Sequence, residues 1–223
     1  MVNGDGSRSS LAAVRLRPTA GWMLGLAALG GLVFTVGLVV RLRCAAGRCP
    51  TPQIRELFDL DAIGSLPRLF TTGLFLAVAV LSARAAARSD PPVRWWWVLV
   101  AVGGGVLAAA KVVSLHSAAE QLDGRWLTLV GGLGLTLVGL PLLWWAGRWW
   151  SVPAAGAVTF ALVVYAAAAL GLDQVTLLVG LARSGPVARA FATYLEEGGE
   201  AGTALLLLAA MARWLPPSSR RGA

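Results

Sequence analysis

Six apolar runs of 18 to 24 residues leave this 223-residue chain almost no choice of solvent. A bilayer's hydrocarbon core is about 30 Å thick and is crossed by about 20 apolar residues in helical form. Lipid offers no hydrogen bonds, so each run must satisfy its backbone internally, which an α-helix does. The runs are Gly21–Val40, Leu66–Ala83, Trp95–Leu115, Trp126–Trp145, Ala154–Leu172 and Phe191–Trp214. Composition agrees: 57% of residues are hydrophobic and 13% charged, against about 25% charged in soluble domains, and the mean hydropathy is +0.71.

The predicted fold class is therefore all-α, a polytopic integral membrane bundle of six transmembrane helices. Residues 1–20 form an N-terminal tail, 21–215 a single transmembrane domain and 216–223 a C-terminal tail. The tail carries Arg8, Arg15 and Arg17, like the start of a signal peptide. The run that follows exceeds an h-region of about 7–15 residues and has no small-x-small site directly after it, so it reads as a retained span. Gln174–Ala182 is apolar but short, and is expected to be an interfacial or re-entrant piece, with a seventh crossing as the alternative.

Charge distribution sets orientation. The formal net charge is +8 and the pI about 11.1, yet the basic residues sit in short pieces between spans, so they read as topology signals and not as a nucleic-acid surface. With both termini inside, ten arginines face in and eight face out; the inner segments sum to +8 and the outer to −1. Nine of the ten tryptophans fall on the inner side and only Trp126 on the outer, as an interfacial belt requires. Eighteen arginines to one lysine, with heavy Ala, Leu and Gly, point to a GC-rich bacterial genome, hence to a bacterial inner membrane.

Cys44 and Cys49, in RCAAGRCPTP, fall in the first outer loop, where disulfides persist. A disulfide is favoured there, with two free thiols as the alternative; a metal pair would need further ligands, and no histidine precedes His116. Glycine pairs such as Gly30–Gly31, Gly103–Gly105 and Gly131–Gly132 let helix backbones approach closely.

Polar residues gather at the outer span ends. FDLDAIGSLP carries Asp59 and Asp61, with Ser65 as N-cap and Pro67 in the first turn of the second span. KVVSLHSAAEQLD brings Lys111, His116, Glu120 and Asp123 to the end of the third. YLEEGGEAG places Glu196, Glu197 and Glu200 at the head of the sixth. Taking Glu196 as zero, Glu200 falls at roughly 40° and Glu197 at roughly 100°, while Gly198, Gly199 and Gly202 lie behind, between roughly 200° and 300°.

A rise of about 1.5 Å per residue puts Glu200 roughly 21 Å from Trp214, and Lys111 roughly 22 Å from Trp96. Two opposite charges thus lie at one level, inside the apolar layer. A charge at bilayer centre costs about 2.5–3.5 kcal/mol on insertion scales, so such groups face inward and find partners. Lys111 is predicted to pair with Glu200 or Glu197 in a polar pocket that opens outward and also draws on Glu196, His116, Glu120 and Asp61.

FDLD (Phe58–Asp61), AKVVSLHS (Ala110–Ser117) and EEGGE (Glu196–Glu200) together resemble bacterial multi-span proteins in which an FDLD-like segment precedes one span. In those proteins a later span ends in an acidic pair followed by a His, and a final span opens with an EExxE-like cluster. Here Ala110–Lys111 stands where the acidic pair would be, and Ser117 follows His116 in place of an acid. If the pattern is a metal site, this chain has lost ligands and gained a counter-charge.

Three readings follow. A metal-dependent membrane hydrolase would bind a divalent metal through His116, Glu120, Glu197 and Glu200, with bound water as nucleophile. An ion- or proton-coupled transporter would use Lys111 and Glu200 as a relay, although six spans without inverted repeats give it little support. An accessory or scaffold protein would engage the bilayer and other membrane proteins through its glycine faces. The third is the default, since no nucleophile system can be assembled from these residues.

Overall fold

The computed structural model describes residues 19–113, 125–182 and 185–214. Among them the regular structure is helical throughout. Helix α1 spans Thr19–Ala45, the short α2 spans Pro52–Phe58, α3 spans Leu66–Ala87 and α4 spans Val93–Val113. The next apolar run is built in three parts: α5 (Arg125–Gly134), a π-helical turn (Leu135–Gly139) and α6 (Leu140–Trp149). Helices α7 (Ala155–Leu181) and α8 (Pro186–Ala212) complete the bundle.

The π-turn has a local cause in Pro141. Proline has no N–H, and its ring crowds the carbonyl four residues back, here that of Leu137, inside the widened turn. The helix accommodates this by widening one turn and then resumes.

Five helical segments are long and apolar enough to cross a membrane: 21–45, 66–87, 93–112, 130–149 and 155–181. Helix α8 matches the longest of them at 27 residues, but its three carboxylates set it apart from those five. The exterior is apolar, with Leu24, Leu32, Leu76, Leu135, Leu137 and Phe160 exposed. Inside the same bundle, Arg68, Thr71, Ser82, Glu197 and Glu200 are buried. Apolar outside and polar within is the arrangement that suits lipid as solvent, and the chain is a membrane protein.

Small residues set the helix contacts. A Cβ at Gly104 of α4 would lie 3.1 Å from the Ala79 nitrogen and 3.3 Å from the Phe75 carbonyl oxygen of α3, which makes α3 and α4 a close antiparallel pair. Gly147 of α6 meets the Ala155 methyl and the Trp96 indole, and the Trp96 N–H donates to the Leu143 carbonyl at 2.9 Å. In α8, Ala204, Leu207, Leu208 and Met211 are buried in the main core with Phe75, Val78, Val158 and Tyr165. A smaller cluster of Phe34, Leu60 and Ala201, flanked by Phe70 and Tyr194, lies between α1, α3 and α8.

Two sequence expectations are corrected. Gln174–Ala182 is not a separate interfacial piece: α7 runs unbroken from Ala155 to Leu181. No proline interrupts it, and continuing the helix satisfies each backbone group in turn. Of the three glycines placed behind the α8 carboxylates, only Gly199 packs against a neighbour, Leu172 of α7, while Gly198 and Gly202 face open space. Ser65 does hold the N-cap position of α3, but its side chain makes no capping hydrogen bond.

Candidate functional site: a buried chain of alternating charges

The FDLD segment is the hinge from which the site is built. After α2, Asp59 is extended (φ −62°, ψ 127°), so successive side chains diverge. Leu60 is fully buried and presses on Gly37 of α1, where a Cβ would fall 2.6 Å from a Leu60 methyl. Asp59 turns to α1: Arg41 Nη2 lies 2.6 Å from its Oδ1, and Arg41 Nη1 donates to Thr193 Oγ1 of α8 at 2.9 Å. Asp61 turns to α3, where its Oδ1 is 2.6 Å from Arg68 Nη2. One apolar residue between two acids thus fastens the loop to two helices and the core.

Beyond Arg68 the charges continue inward. Arg68, whose side chain is 9% exposed, stands 3.9 Å from Glu197 Oε1 of α8. Lys111 of α4 lies 3.2 Å from Glu197 Oε2 and 2.6 Å from Glu200 Oε2. The Tyr165 hydroxyl of α7 donates to Glu200 Oε2 at 3.4 Å, with its ring edge-on to Phe75. Asp61, Arg68, Glu197, Lys111 and Glu200 form a series of alternating sign that ties α3, α4 and α8 together, with α7 joined through Tyr165. Its inner members are nearly dry, and only Asp61, 61% exposed, is open to solvent.

Lys111, Glu197, Glu200 and Asp61, singled out in the sequence, therefore share one network. Glu196 does not join it; half-buried, it faces α7 with Asp173 and Thr176 as neighbours. His116, Glu120 and Asp123 lie outside the described residues. Arg68 and Tyr165 are members that sequence reasoning missed, as it missed Arg41 in the neighbouring pair with Asp59. The signal for Arg68 was its place two residues inside an apolar run and seven after Asp61; Tyr165 was one of two tyrosines, in the middle of another run.

At the Asp59 end, burial opposes ionisation, but the Arg41 hydrogen bond, the Asp61 N–H and the charges of Arg41 and Arg55 outweigh it and hold the carboxyl below its usual range. Cys44 and Cys49 are joined in a disulfide, closing the loop between α1 and α2.

Among the described residues no three His, Cys, Asp or Glu side chains come together as a metal site needs. Glu197 and Glu200 direct their oxygens at protein cations instead. Comparison with protein-family models, with curated proteins and with solved structures finds no match to this chain.

Proposed function

We propose that this chain is a six-span protein of a bacterial inner membrane, with both termini inside, acting as an accessory or scaffold component whose outer ends are held together by the buried charges. Lys111 between Glu197 and Glu200, at 3.2 Å and 2.6 Å, carries this reading. Both carboxylates that could have acted on a ligand are neutralised by the chain's own cations, so the network works as a clasp between helices. If the chain is a relative of the proteins with FDLD-like and EExxE-like segments, the lysine in place of an acidic pair has turned their polar pocket into this clasp.

Helix α8 is the sixth crossing in this reading. Its length of about 40 Å suffices for the hydrocarbon layer, and its Ala204–Met211 half is buried in the main core. Glu197 and Glu200 are buried against protein. The arginine and tryptophan distributions support the inward placement of both termini. Gly103, Gly105 and Gly131, which face open space on the bundle exterior, supply close-approach surfaces for partner helices.

Purification in mild detergent after in-membrane crosslinking tests the reading. A defined partner is expected to co-purify with the wild type and to be lost when Gly103 and Gly105 are replaced by Leu, with the fold retained. A monomeric protein holding stoichiometric metal that disappears in Glu197→Gln would overturn it in favour of the metal-dependent hydrolase.

A further inference from the structure

The clasp leaves a second concentration of charge unused. A cavity of about 450 Å³ opens where the C-terminal end of α1, the short α2 and the first turn of α8 meet. Arg41, Arg55 and Arg189 line it, one from each helix, against a single acid, Asp59, with Pro186 and Ala190 in its wall. Asp59 is engaged by Arg41, whose Nη1 is committed to Thr193. Arg55 and Arg189 are exposed and form no ion pair among the described residues. Two forked cations are thus left facing one cavity, whose volume falls in the range of about 300–1,000 Å³ usual for ligand sites.

We propose that this cleft binds a phosphate group. One carboxylate would be satisfied by one guanidinium fork, whereas a phosphate offers oxygens in several directions and takes forks from separate helices at once. The N-terminal end of α8, whose first residue Pro186 lines the cleft, adds the positive end of the helix dipole to the same wall. The positive potential is already felt at Asp59, where Arg55 contributes to holding the carboxylate ionised. The cleft lies just past the apolar part of α1, level with the phosphates of a bilayer in which that helix stands. The group can come from the headgroup of an anionic phospholipid or from a soluble phosphate ester, and the site needs no assumption about which side of the membrane it faces.

The full-length protein in dodecyl maltoside micelles, which carry no phosphate, and in buffer free of phosphate and sulfate, tests this. One arm adds inorganic phosphate and measures binding by calorimetry; the other measures partition of a fluorescent phosphatidylglycerol to the protein. Binding in the first arm identifies a soluble source, and binding in the second alone identifies the headgroup. In either case Arg55→Gln with Arg189→Gln is expected to weaken binding at least about tenfold, the loss of charge-assisted hydrogen bonds. Arg43→Gln, an exposed α1 arginine outside the cleft, should leave it unchanged. No binding in either arm would overturn the proposal, as would Arg43→Gln weakening it as much as the double variant, which reduces the effect to surface charge.

Discussion

Lys111 is the one residue whose removal should be felt by most of the bundle. Taking away one partner of a buried ion pair leaves the other charge uncompensated, at about 3–5 kcal/mol, whereas replacing both by apolar groups of similar volume is often near neutral. Lys111→Met is accordingly expected to lower stability by about 3–5 kcal/mol, measured by unfolding in detergent. Lys111→Met with Glu200→Met should recover most of the loss, because Glu197 keeps Arg68. A double variant as unstable as the single one would show that the two charges are not coupled. Exchanging the charges should not rescue, since a carboxylate at position 111 would face Glu197. At the exposed end, Asp59 titrates with the opposite consequence of a raised group. Its carboxyl is held below the ordinary 3.8, so its contribution is complete above that value and lost as pH falls through the lower folded one. Asp59→Asn should remove this acid-side dependence of α1–α2 loop order, followed by proteolysis as pH falls below about 4, the ordinary aspartate value. Lys111 and Glu200 were legible in the sequence because two opposite charges at equal depth in apolar runs need each other. Arg68 and Tyr165 were not: an arginine at a span end also serves as a topology signal, and a lone tyrosine also serves as core, until the packing aims them.

At the scale of elements, the runs marked out the helices well, since apolar length alone decides what can lie in a bilayer. Their ends were less visible. Helix α1 extends to Ala45 and α3 to Ala87, past the ends of the apolar runs at Val40 and Ala83, because hydrogen bonding continues until geometry stops it. The joining of Gln174–Leu181 to α7 has the same cause. Which glycines matter was hidden for a different reason: spacing shows a small surface but not whether a neighbour occupies it. Gly147 abuts Ala155 and Trp96, while Gly103 and Gly105 meet nothing. Gly147→Ala is thus expected to cost about 1–3 kcal/mol by overpacking against a methyl that cannot move aside. Gly103→Ala and Gly105→Ala should leave stability unchanged or raise it by about 0.4–1 kcal/mol through the unfolded state. Equal behaviour of the three in thermal unfolding would contradict the packing of α6 on α7.

For the whole molecule the proposed topology turns on α8. Five helices meet the requirement by apolarity, and five crossings would put the two ends of the chain on opposite sides; a sixth brings them together. What makes α8 poor in apolarity is also what makes it central: Glu197 and Glu200 take their cations from α3 and α4, so the polar stripe turns inward and an apolar remainder faces out. A helix whose buried face includes both Glu197 and Met211 is packed along most of its length against α3 and α7, which supports the proposed sixth crossing. Single cysteines at Asp90, Gly185 and Arg213, all exposed, convert this into a measurement with a membrane-impermeant maleimide. Asp90→Cys and Arg213→Cys should label from one side and Gly185→Cys from the other. Labelling of 185 and 213 from the same side would remove α8 from the spans, and with it the placement of the charge clasp within the apolar layer.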